Sequence, residues 1–126
     1  MRVGIIGAGL QALRRAPAVK AHPNTELVVI SSASTQSAQA LAYEHGCEAA
    51  QGWESVARRD DLDAIIVCTP PKLHASISIA AMKSGKHVLC EKPLSYTLEE
   101  GTEMVRTAQE MGKILKCGFN HRYHPA

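Results

Sequence analysis

The run Gly7-Ala8-Gly9-Leu10-Gln11-Ala12 follows directly on the apolar residues 3–6 and opens a helical pattern. Glycine at the first position permits a tight turn out of a strand. Glycine at the second, lacking a Cβ, lets the backbone approach an anion, and the small Ala12 at the third lets helix and strand lie close. Such a turn gathers unpaired backbone N–H groups at the positive end of a helix dipole, and a pyrophosphate is a ligand that suits them. Leu10 and Gln11 complete the turn and join Gly7, Gly9 and Ala12 as candidate nucleotide contacts. Taken alone the pattern reads equally as a glycine turn without a ligand. Its context favours the ligand, because a strand precedes it, a helix follows it, and the two alternate along the chain.

A second group that could do chemistry is Ser31-Ser32-Ala33-Ser34-Thr35, at the end of the next apolar run. In dinucleotide sites of this class an acidic residue there binds both ribose hydroxyls and selects NAD. Here no carboxylate opposes a 2′-phosphate, and the hydroxyls of Ser31 and Ser32 could donate to one. The cofactor expected is NADP or NAD, with a lean to NADP. The same serines read equally as a turn that caps the next helix.

The elements that must hold these groups follow in order. Residues 10–22 have helical spacing through Leu13, Ala16 and Lys20, and Pro17, which removes a donor from the helix interior, is expected to kink or divide it. The β-branched residues 26–30 read as a second buried strand. Residues 37–45 form a helix stopped by Gly46, and residues 47–50 a brief third strand. Trp53, Val56 and Ala57 share one face of a short helix, with Trp53 expected as a cover over the sheet edge and residues 58–61 as a solvated end.

The apolar strand 64–68 ends in Thr69-Pro70-Pro71, whose prolines hold a rigid loop at the carboxyl end of the sheet, where open α/β sheets bind ligands. His74, in the first turn of the helix running to 84, reads equally as a solvent-facing or capping side chain and as a cofactor neighbour. Residues 86–90 form a fifth strand closed by Glu91-Lys92-Pro93, in which Lys92 alone reads as a surface lysine before a turn proline. A helix over 97–112 starts from the capping pattern Thr97-x-x-Glu100, with Val105, Ala108 and Met111 set to face the sheet. The last strand, 113–119, leads into Asn120-His121-Arg122.

Composition fits one soluble domain, residues 1–126, with one hydrophobic core. A net charge of +2 gives no reason to expect nucleic acid or a membrane surface as partner, and no apolar run reaches membrane-spanning length. Arg14 and Arg15 break the N-terminal apolar run too early for a secretory signal. The four cysteines are scattered without a Cys-x-x-Cys pair, so they read as small apolar residues in a reducing, cytoplasmic setting, with no metal site.

Gly7-Ala8-Gly9, Thr69-Pro70-Pro71-x-x-His74, Glu91-Lys92-Pro93 and Asn120-His121-Arg122, in this order and at these intervals, resemble the N-terminal domain of the Gfo/Idh/MocA oxidoreductases. The resemblance spans nearly the whole chain and implies a doubly wound, mostly parallel Rossmann domain. It implies hydride transfer between NAD(P) and a hydroxyl-bearing carbon of a sugar, cyclitol or related small molecule. By the same resemblance Lys92 is the catalytic residue, beside the nicotinamide and the substrate hydroxyl, where its ammonium can donate to a developing alkoxide. The resemblance also implies a cis Lys92-Pro93 bond, and it assigns Glu91 to the cofactor ribose, Thr69, Pro70 and His74 to the border of the cofactor, and Asn120 and Arg122 to the substrate.

In that family an open-sheet substrate domain follows and carries a histidine in an Asp-x-x-x-His motif. Neither His121 nor His124 has the required Asp, and that domain is expected beyond Ala126. The 126 residues alone are therefore expected to bind cofactor without turnover, and the full-length parent to be a homo-oligomer. Two rivals share the cofactor half: a non-catalytic NAD(P)-binding module, and a Rossmann reductase of another class acting on imines or biliverdin.

Overall fold

The computed structural model describes residues 1–119, Arg122 and Pro125. Strands and helices alternate as β1 (Arg2–Ile6), α1 (Leu10–Ala21), β2 (Glu26–Ser32), α2 (Thr35–His45), β3 (Glu48–Gln51), α3 (Glu54–Ala57), β4 (Ala64–Val67), a 3₁₀ turn (Pro71–Leu73), α4 (His74–Lys83), β5 (His87–Glu91), α5 (Leu98–Met111) and β6 (Leu115–Gly118). The six strands form one sheet in the order β3-β2-β1-β4-β5-β6, and every ladder is parallel. The chain starts in the middle and winds outward first to one side, then to the other. The order therefore reverses between β1 and β4, which opens a crevice at the carboxyl ends of these strands.

Helices cover both faces, which is why the strands read as nearly continuous apolar runs. On one face Ala12, Ala16 and Val19 of α1 and Leu41 and Ala42 of α2 pack with Val3, Ile5, Ile30 and Ile66. On the other, Val56, Ile77, Met82 and Met104 from α3, α4 and α5 pack with Ile6, Val29, Ile65 and Val67.

Three expectations are corrected. Pro17 does not divide its helix: α1 runs unbroken from Leu10 to Ala21. The proline lies on the exposed face, while Ala12, Ala16 and Val19 hold the helix to the sheet on both sides of it, so the lost hydrogen bond is left toward water. In α5 the sheet-facing residues are Met104, Thr107 and Ala108, and Val105 and Met111 stay 45% and 41% exposed. The helix carries two apolar stripes, since Leu98 and Val105 lie one residue round from Met104 and Ala108, and spacing alone does not choose between them. Residues 113 and 114 precede the last strand, which begins at Leu115.

The caps agree with their signals. Ser34 accepts from the Ser37 N–H at the start of α2, and at α5 the Thr97 hydroxyl accepts from the Glu100 N–H while the Glu100 carboxylate accepts from the Thr97 N–H. Among the described residues no helix is long and apolar enough to cross a membrane.

Candidate functional site

The glycine turn is fixed by the strands on either side of it. The Gly7 N–H donates to the Ser31 carbonyl at 2.7 Å and the Cys68 N–H to the Ile6 carbonyl at 2.7 Å, so the ends of β1, β2 and β4 are laced together where α1 begins. Gly7 has φ +106°, and a Cβ built there would stand 2.5 Å from the Cys68 carbonyl oxygen. Gly9 differs: a Cβ there meets nothing within 4 Å. Gly7 is thus required by the fold, whereas Gly9 faces open space at the N-terminus of a twelve-residue helix.

That space is part of a cavity of about 420 Å³, within the range of small-molecule sites. Gly7, Ala8, Gly9, Leu10 and Gln11 form its floor, Ser32 and Ala33 follow from β2, Gly52 and Trp53 from β3, and Cys68, Thr69 and Pro70 from β4. The structure therefore brings the turn residues, Ser32, Thr69 and Pro70 together. Ala12 lies beneath, fully buried against the sheet, as a small residue at that position should.

Other candidates have different places. Ser31 is fully buried with its hydroxyl unpartnered and does not line the cavity, so the serine cluster presents Ser32 there while Ser34 caps α2. The two readings of the cluster divide it between them.

His74 is 1% exposed, so the solvent-facing reading fails. Its Nδ1 lies 2.7 Å from the Pro93 carbonyl oxygen and its Nε2 2.8 Å from that of Thr69. Both ring nitrogens thus face main-chain carbonyl oxygens, one in each of two loops. Glu91 is buried and paired with Arg15 of α1, which commits its carboxylate away from the cavity lining.

Lys92 follows β5 on the same sheet edge, exposed to solvent and outside the cavity lining, and the Lys92-Pro93 bond is cis. Arg122 is exposed beside Cys117 and Phe119 at the end of β6, in a separate cleft, and Asn120 lies outside the described residues.

Trp53 corrects the sequence reading in part: it packs on the core beside the sheet edge, and it also forms a wall of the cavity. Together with Gly52 it was findable by the rule that located the Thr69 loop, since both follow the carboxyl end of a strand.

The fit to a dinucleotide can be tested on the protein's own atoms. The turn leaves room above Gly9 for a diphosphate at a helix N-terminus, and Thr69 Oγ1 is buried and unpartnered beside that space. No acidic side chain stands at Ser32 or Ala33 to oppose a 2′-phosphate. These residues suit NAD(P).

Cys68 also borders the cavity. Burial pushes the thiols of Cys68 and Cys90 up to about 12, which leaves very little thiolate at pH 8. Both cysteines should resist alkylation at pH 8 in the native protein and react on unfolding. Peptide mass mapping after iodoacetamide checks this, and rapid native labelling of Cys90 would contradict the packing.

A model of an oxidoreductase family with an NAD-binding Rossmann fold matches residues 1–119. The chain is 38% identical over 125 residues to dTDP-3,4-didehydro-2,6-dideoxy-alpha-D-glucose 3-reductase of Streptomyces antibioticus, covering 98% of this chain and 38% of that protein. It superposes with TM-score 0.92 and 36% identity on a 3-ketoreductase from Actinomadura kijaniata in complex with NADP and TDP-benzene, covering 99% of this chain and 39% of that one. A biliverdin reductase from Synechocystis, in complex with biliverdin and NADP+, gives TM-score 0.88 at 33% identity over 92% of this chain and 37% of that one. The chain thus spans somewhat over a third of the length of the relatives it matches.

Proposed function

From the premise that the chain belongs to the Gfo/Idh/MocA oxidoreductase family and is its nicotinamide-dinucleotide-binding Rossmann domain, we propose that it serves an enzyme moving hydride between NADP(H) and a hydroxyl-bearing carbon of a sugar, cyclitol or related small molecule. The observation that carries this reading is one cavity joining the open Gly9 turn, Ser32 and Thr69, with Lys92 on the strand end next to it. Gly7 to Ala12 would hold the pyrophosphate at the start of α1, Ser32 would take the adenosine ribose or its 2′-phosphate, Trp53 would wall the adenosine side, and Thr69 and Pro70 would border the nicotinamide half. When bound, the dinucleotide supplies the carbon that gives or takes hydride. The chain's own part is a proton: Lys92 Nζ donates to the oxygen of a carbonyl being reduced and receives that proton back in the reverse direction.

Trp53 is the single tryptophan of the 126 residues. Titration with NADPH should therefore quench its emission and sensitise that of the nicotinamide. Calorimetry with both cofactors should give NADP(H) at least the affinity of NAD(H), and a tenfold preference for NAD(H), about 1.4 kcal/mol, would overturn the NADP assignment. Turnover is tested on the full-length protein with a panel of nucleotide-linked ketosugars, sugars and polyols. The likeness to biliverdin reductase supports a second reading, the same cofactor half serving a substrate without a carbinol carbon, and activity on a linear tetrapyrrole alone would select it. The full-length parent is proposed to be a homo-oligomer, which light scattering would test.

A further inference from the structure

Lys92 has no ion-pair or hydrogen-bond partner for its ammonium among the described residues and is exposed, so its own side chain does nothing to fix where it points. Its two chain neighbours are held firmly. On one side the Glu91 carboxylate, 6% exposed, pairs with the partly buried Arg15 guanidinium of α1. Gly118 of β6 lies so close behind it that a Cβ there would come within 2.8 Å of Glu91 Oε2. On the other side the Pro93 carbonyl faces His74 Nδ1, and Nε2 of the same ring reaches the Thr69 carbonyl. The Cys90 thiol points to the Leu94 carbonyl at 3.6 Å and adds a weak tie to the same loop.

We propose that Arg15 and His74 are the positioning residues of Lys92, which they hold in register with the cofactor cavity from opposite faces of the sheet; this rests on the reading of Lys92 as the proton-transferring group. Arg15 belongs to the helix that starts at the glycine turn, so the Glu91 side of the loop is referenced to the pyrophosphate end of the cavity. His74 also holds Thr69, a cavity wall, so the Pro93 side is referenced to the nicotinamide end. A lysine with four rotatable bonds gains little from a nearby cofactor unless the backbone beneath it is fixed, because misplacement of a reacting group by about 1 Å costs roughly a hundredfold. The arrangement explains why a histidine is buried with both nitrogens spent on loop carbonyls, and why an arginine on the α1 surface pairs with a carboxylate at the end of β5.

The test uses the full-length protein and five variants, Lys92→Ala, His74→Gln, Arg15→Lys and each of the latter two combined with Lys92→Ala. His74→Gln keeps one donor but cannot span both carbonyls, and Arg15→Lys keeps the cation but loses the guanidinium fork. Each single change should lower kcat about tenfold with KM and the calorimetric cofactor Kd within about threefold. Each should also speed amide exchange in residues 91–95 of the cofactor-free protein while leaving β1 and β4 protected. In the Lys92→Ala background neither should slow turnover further, since a group acting only through Lys92 has nothing left to lose.

Losses that multiply with Lys92→Ala, unchanged kcat, or unchanged exchange in 91–95 would overturn the positioning roles while the function stands. Wild-type turnover in Lys92→Ala overturns the reading of Lys92 itself, and the positioning roles fall with it. Where His74→Gln does not fold, Arg15→Lys, at a partly exposed position, reads the same coupling from the other side.

Discussion

In the full-length protein, Lys92→Ala is expected to cut turnover by about two orders of magnitude, roughly 2.7 kcal/mol of transition-state stabilisation, while cofactor affinity changes by less than about threefold. The asymmetry follows from placement. Lys92 lies on the sheet edge outside the cavity lining, so removing its side chain takes away none of the surface proposed to hold the dinucleotide. It is exposed and, among the described residues, unpaired, so truncation leaves no buried partner without a charge and opens no hole in the core. The backbone it rides on is fixed through Glu91 and Pro93, which the substitution leaves in place. On the proposed role, what is lost is the proton at Nζ, and a missing general acid or base costs about a hundredfold to ten-thousandfold. Steady-state kinetics with calorimetric cofactor titration separates the two quantities. Turnover equal to the wild type would return Lys92 to a surface lysine, and a large loss of cofactor affinity would make it a binding residue.

The sequence carried the doubly wound sheet and its ligand edge because those depend on local patterns: apolar runs too long for one-sided burial, a glycine turn at a strand end, and prolines closing β4. It carried the Gly7/Gly9 distinction through the turn pattern, while the reason Gly7 admits no Cβ, the Cys68 carbonyl at the end of β4, comes from a distant strand. What escaped it were roles set by residues far apart in the chain. The Arg15–Glu91 pair spans 76 residues and the His74–Pro93 contact 19, and no spacing rule connects either. The family resemblance assigns Glu91 to the cofactor ribose, and the sequence leaves His74 open between a solvent-facing or capping side chain and a cofactor neighbour; the fold adds that Glu91 pairs with Arg15 and that His74 bridges two loops. The phase of α5 escaped for a different reason: with apolar residues on two adjacent stripes, the choice between them is made by whichever stripe the sheet and α4 can cover.

The two glycines of the turn give the sharpest test of fold against ligand, because alanine should do opposite things at them. At Gly7 the backbone sits at φ +106°, where a side chain costs about 1–3 kcal/mol. The new methyl would also stand 2.5 Å from the Cys68 carbonyl oxygen and 2.6 Å from its carbon. Those atoms are backbone at the end of β4, tied to β1 by the Cys68 N–H, so no flexible side chain can yield and overpacking adds about another 1–3 kcal/mol. Against a typical total of about 5–15 kcal/mol, Gly7→Ala should lower the melting temperature by about 10 °C or more and remove cofactor binding with it.

At Gly9 the backbone has φ −89°, ordinary for any residue, and the methyl meets nothing. Glycine outranks alanine at the N-cap, so the change costs about 0.5–1 kcal/mol and the melting temperature should fall by no more than about 5 °C. The methyl would nonetheless occupy the space left for the diphosphate, so NADP(H) affinity should fall about tenfold or more. Thermal melts and NADPH titrations of the two variants read both quantities on the same samples. Full cofactor affinity in Gly9→Ala would mean that the diphosphate does not lie over this turn, and the cavity would then need another occupant.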